Sequence, residues 1–171
     1  MKILGDFVNL WTIQMPQAVR NLYIDGVLVG DWDRVESHFH RAYLWMIDRM
    51  EQRLGIDMFY NPPMWAWAGR PDLRRSCRGR PGSDQILIGF RAPTSQVLFS
   101  DFEDFHFVLN DWHLPPEDSL DDESWDESQD SVDKEGSWKR IFVIAEGERS
   151  QACLRQIELP WVKSTFAFKA R

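Results

Sequence analysis

The stretch with the clearest chemical promise is Met64-Trp65-Ala66-Trp67-Ala68, in which large aromatic and small residues alternate. In an extended strand, alternation puts both indoles on one face and the alanines on the other. Ala66 and Ala68 then suit a packed face, while Trp65 and Trp67 line a slot where a flat ring such as a base or a nicotinamide can stack. The plain alternative is core packing: indole buries a large area, and the chain has nine tryptophans in 171 residues. Helical periodicity places Trp45 and Trp112 on inward-facing sides. Thr12 and Gln14 stand two apart at the end of an apolar run. A hydroxyl and a carboxamide can read a ligand amide through paired donors and acceptors, or can bond to the backbone at the turn before Pro16.

Residues 69–84 carry Arg70, Arg74, Arg75, Arg78 and Arg80 among glycine and proline. Several guanidinium groups on one loop suit phosphate, and a solvated basic loop is the simpler reading. Ser100-Asp101 is most simply a helix cap, with Asp101 as a catalytic carboxylate the second option. His38, His40, His106 and His113 accompany no HExxH, nucleophile-elbow, Walker or GxGxxG pattern. Cys77 and Cys153 form no CxxC, so neither a structural disulfide nor a metal site is expected. Glu146-Gly147-Glu148 and Gln156-Ile157-Glu158 are short acidic patterns of a kind that opens a strand in some NAD-using transferases.

These residues need elements to hold them. Val8 to Ile13 reads as a strand, and Pro16 opens a helix with apolar positions Ala18, Val19, Leu22 and Tyr23 that Gly26 stops. Phe39, Ala42, Tyr43, Met46, Ile47, Met50 and Leu54 recur at steps of three and four, predicting a core helix ended by Gly55. Ile86 to Phe90 and Val97 to Phe99 read as a hairpin through Ala92-Pro93-Thr94-Ser95. A helix with apolar positions Phe102, Phe105, Val108, Leu109 and Trp112 follows. Trp138 to Ala145, Gln151 to Leu159 and Val162 to Phe168 are strand-like, the first with a short helix as its alternative. The pattern predicts an α+β single domain over 1–171, with a mixed or antiparallel split sheet and roughly three helices.

Charge is unevenly placed. The net charge is −7, yet residues 117–135 hold ten of the 27 acids and one of the 20 bases, leaving 19 bases against 17 acids elsewhere. Nucleotides or nucleic acid therefore stay open as partners. A mobile acidic loop is expected at about 117–136, where Leu120, Trp125 and Val132 are too few apolar groups to offset ordering entropy. No run of about 18 apolar residues and no basic, apolar leader is seen, so neither membrane insertion nor export is expected and the cytoplasm is the default.

Leu10-Trp11-Thr12-Ile13-Gln14, Trp65-Ala66-Trp67, Ser100-Asp101-Phe102 with Val108-Leu109-Asn110, Ser137 to Phe142 and Gln151-Ala152 together resemble a bacterial family known as domain of unknown function 3841. The layout is also similar to the ADP-ribosyltransferase fold. Trp11-Thr12-Ile13-Gln14 with Gly26 matches its first strand and helix, Trp65-Ala66-Trp67 its second strand, and Gln151-Ala152-Cys153-Leu154 the late strand that in that fold opens with Glu. That resemblance implies NAD as cofactor, with a protein or nucleic-acid acceptor. Trp11, Trp65 and Trp67 would stack the nicotinamide, Thr12 and Gln14 would read its amide or ribose, and Arg70 would meet the pyrophosphate. Gln14, Gln151 and Glu148 would be the catalytic set, working by stabilising an oxocarbenium-like ribose. The competing readings are a non-enzymatic module for a nucleotide or a single-stranded nucleic-acid end, and a regulatory partner whose acidic loop occupies a basic surface.

Overall fold

The computed structural model describes residues 6–74, 80–116, 133–143 and 150–171. The first strand, β1 (Phe7–Gln14), runs into Pro16, whose fixed φ and missing N–H suit the opening of α1 (Pro16–Asp25). Gly26 ends α1 in left-handed backbone, φ 76°, and its N–H reaches the Leu22 carbonyl. A three-residue strand, β2 (Val27–Val29), follows at once; it is too short to show a period in sequence. The core helix α2 (His40–Leu54) closes on Gly55 at φ 65°. Then come β3 (Met64–Trp67), β4 (Asp84–Pro93), β5 (Leu98–Asp101) and α3 (Phe102–Leu109). Asp101 caps α3, its carboxylate accepting from the Glu103 and Asp104 N–H groups at 2.8 and 3.0 Å. The chain ends with α4 (Lys134–Ser137), β6 (Ser150–Leu154), β7 (Gln156–Glu158) and β8 (Val162–Lys169).

Six strands form one antiparallel sheet in the order β5-β6-β3-β1-β4-β8, and β2 pairs with β7 in a small second sheet. The α+β single-domain expectation holds, with four helices among the described residues. The sheet is split in a specific sense. β1 pairs with β4 along its whole length and β3 with β6 along its whole length, but β1 and β3 share one register pair, Trp11↔Trp67. Two three-stranded blocks are thus joined at a seam.

Alternation decides what each face buries. Leu10, Ile88, Phe90, Ala66 and Ala152 pack against Ala18, Val19 and Leu22 of α1 and against Ile157 of β7. On the other face, Leu98 and Cys153 meet Met46 and Met50 of α2, Phe105 and Val108 of α3, and Trp138.

Several expectations are corrected. β4 and β5 do not form a hairpin: both edges of β4 are taken by β1 and β8, and β5 pairs with β6 instead. Trp138–Phe142 takes the short-helix alternative rather than the strand, as a 3-10 helix with Trp138 and Ile141 buried. Trp112 is 53% exposed because α3 stops at Leu109 and Asp111 turns the chain at φ 58°. Of the expected acidic loop, residues 117–132 lie outside the described residues, whereas Lys134–Ser137 is helical and capped by Asp133.

Candidate functional site

The seam opens into a cleft of about 1070 Å³ where β1 and β3 diverge. Its floor follows from the strand ends. Trp11 and Trp67 are register partners, and beyond that pair the Thr12 hydroxyl reaches across to donate to the Trp65 carbonyl at 2.9 Å. The Gln14 amide donates in turn to Thr12 Oγ1 at 2.9 Å. The Gln14 carboxamide oxygen accepts no hydrogen bond among the described residues, so one acceptor of this relay is left uncommitted.

Thr12, Gln14, Trp65 and Trp67 all line the cleft. Both indoles are partly buried while Ala66, between them, is 1% exposed on the α1 side of the sheet. Trp65 also has a packing role: its ring lies 4.8 Å from Phe105 and 5.7 Å from Tyr43, centroid to centroid. Its indole N–H is buried with no acceptor among the described residues, a state that costs free energy in a folded chain.

The far wall went unnoticed in sequence. After β2, Gly30 approaches the backbone so closely that a Cβ there would lie 1.9 Å from the Pro62 carbonyl oxygen. Trp32 then donates its indole N–H to the Tyr60 carbonyl at 2.6 Å and packs on His40 and Tyr43. Trp32 and Tyr43 therefore add two more aromatic rings to the cleft. The helical period placed Tyr43 on the core stripe and tryptophan richness hinted at Trp32, but their meeting in one wall depends on a tertiary contact.

The remaining predicted residues fall elsewhere. Trp11 is not a lining residue; its indole lies over Gly89, where an added Cβ would be 3.3 Å from Nε1. Gln151 is the register partner of Trp67, but it is 6% exposed and donates to Ser100 Oγ at 3.1 Å. Arg70 is exposed and not part of the lining; Arg34 and Arg80 are the guanidinium groups that are. Asp101 is engaged as the α3 cap. Glu148, with Arg75, Cys77 and Arg78, lies outside the described residues. Among the described residues no trio of His, Cys, Asp or Glu is arranged to hold a metal, and no helix is long and apolar enough to cross a membrane.

No curated protein and no solved structure matches the chain, and the likeness to ADP-ribosyltransferases gains no support from these comparisons. A family model does match, over residues 9–135, a span that runs from β1 through the cleft residues of β3 to the start of α4. The chain therefore belongs to the family described as Domain of unknown function (DUF3841).

Proposed function

We propose that this protein binds NAD or a related nucleotide in the seam cleft, with the flat ring of the ligand stacked against Trp65 and Trp67. The observation that carries this reading is the meeting of two indoles with the Thr12–Gln14 relay in one cleft. Stacking on indole supplies affinity without demanding one ring. The free oxygen of Gln14 suits the NH2 of a carboxamide such as that of nicotinamide. Arg80 lines the cleft and Arg70 does not, so Arg80 is the guanidinium that would meet a phosphate. Binding is favoured over ribosyl transfer, because Gln151 is buried and bonded to Ser100, whereas Gln14 lines the cleft.

The test is a titration of the full chain with NAD, following tryptophan emission and heat. Saturable quenching with matching heat is expected, weakened in Gln14→Ala and Trp67→Ala. Trp65→Ala would in addition remove the contact with Phe105. No response at millimolar NAD sinks the reading. Incubation with labelled NAD and protein or nucleic-acid acceptors, with Gln151→Ala as control, separates binding from transfer: label transfer lost in Gln151→Ala would make the protein a transferase.

A further inference from the structure

The charge of the cleft runs opposite to what a phosphate site needs. Asp25, Asp31, Asp33 and Asp84 line it, against Arg34 and Arg80. Asp31 is 3.7 Å from Arg34 and Asp84 is 2.8 Å from Lys169, so those two are locally compensated. Asp25 and Asp33 have no ion-pair partner among the described residues. Asp25 is also placed against the helix field. It is the last residue of α1, where the unpaired carbonyls carry partial negative charge and a basic side chain is the stabilising choice. α1 has no basic residue in its last turn. A carboxylate there costs folding free energy, and it adds to the negative potential at the cleft.

The same cleft is lined by the rings of Trp32, Tyr43, Trp65 and Trp67. Aromatic faces attract cations through their quadrupole, tryptophan most strongly. Carboxylates and indoles around one cleft therefore select a flat, positively charged group, and neither feature alone would do so. Within NAD, the pyridinium ring of the oxidised form carries that charge, whereas the dihydro ring of NADH is neutral.

Building on the nucleotide reading above, we propose that the cleft is selective for a cationic ring, taking the pyridinium of oxidised NAD and discriminating against its neutral, reduced counterpart. The phosphates are then left to Arg80, one of the two guanidinium groups of the lining.

The experiment uses the full chain labelled with 15N at tryptophan, titrated with 1-methylnicotinamide, which is cationic, and with nicotinamide, its neutral analogue. Indole N–H shifts report binding. The cation is expected to bind about tenfold more tightly. Asp25→Asn with Asp33→Asn should bring the two affinities close together. The melting temperature of that variant should be unchanged or slightly higher, because the helix end loses an unfavourable charge. Equal affinities in the wild type would overturn cation selectivity while leaving ring stacking intact. Binding of neither compound, nor of NAD, would overturn the nucleotide reading itself. Tetramethylammonium shifting the same indoles while both nicotinamides fail would keep a cation site and remove the nicotinamide.

Discussion

A thiol without water around it behaves as a small apolar group, and Cys153 is in that position. It is 0% exposed, register partner of both Trp65 and Leu98, and burial pushes its pKa far above the ordinary thiol range despite an opposing hydrogen bond with Ser100. In a Cys77→Ser background, thiol reagents should leave the native protein unlabelled at neutral pH and react once denaturant is added. Labelling of the native state would contradict this burial. The unfolded thiol ionises near pH 8.5–9 while the folded one keeps its proton, so stability is fully present below that value and falls as pH rises above it. Melting temperature should decline between about pH 9 and 11, less steeply in Cys153→Ala. Tyr60 supplies the carbonyl to which Trp32 donates. It is 78% exposed, yet it holds left-handed backbone at φ 59°, next to Phe59 at φ 50°. Its carbonyl, which Trp32 uses, survives substitution by glycine, so Tyr60→Gly should stabilise by about 1 kcal/mol in urea unfolding. A loss would mean that the ring packs on something. At this scale the sequence told half of the story of Trp65: alternation put its indole opposite Ala66, but its contact with Phe105 depends on the docking of α3, which no local pattern shows.

Among the elements, the wall of the cleft depends on a backbone contact that tolerates no side chain. Gly30→Ala would drive a Cβ into the Pro62 carbonyl, and the obstacle is backbone rather than a movable side chain. It should destabilise by about 2 kcal/mol and weaken ligand binding further by displacing Trp32. A wild-type melting temperature for this variant would show that the segment after β2 can swing away. Elements with their own start and stop signals were legible: α1 between Pro16 and Gly26, α2 with its period and Gly55, α3 behind Asp101. Elements defined by a distant partner were not. Leu98–Asp101 looked like the second arm of a hairpin because it follows β4 by four residues, but pairing is settled by which edges are free, and β6 had one. β2 has three residues and exists because β7 runs beside it. Trp138–Phe142 has the apolar content of a strand, yet it packs as a 3-10 turn that sends the Trp138 indole N–H to the Trp112 carbonyl at 2.7 Å.

For the whole molecule, the acidic segment leaves and re-enters through a tied base. The Leu114 N–H donates to Ser137 Oγ at 3.0 Å, Arg140 reaches the Leu114 and Pro115 carbonyls, and Arg41 bridges Asp111 and Glu135 at 2.7 and 2.9 Å. These ties do not need residues 117–132. Replacing that segment by a short Gly/Ser linker should keep a cooperative melt within a few degrees of the wild type, since shortening a loop costs little and lowers closure entropy. Loss of the melt would give those residues a part in the core. The excision removes eight acids and no base, so a net charge of −7 becomes +1, and reduced retention on an anion exchanger would verify it. The seam is the other feature that concerns the molecule as a whole. A sheet shares load among its rungs, and here β1 and β3 join the two blocks through one register pair, Trp11 and Trp67, backed by the hydrogen bond from the Thr12 hydroxyl to the Trp65 carbonyl. Breathing between the blocks then concentrates at one line, the same line that floors the cleft. A guest wedged there acts as a strut: it stiffens the join most where the backbone joins least, and amide exchange should slow on β1 and β3 together when the guest arrives.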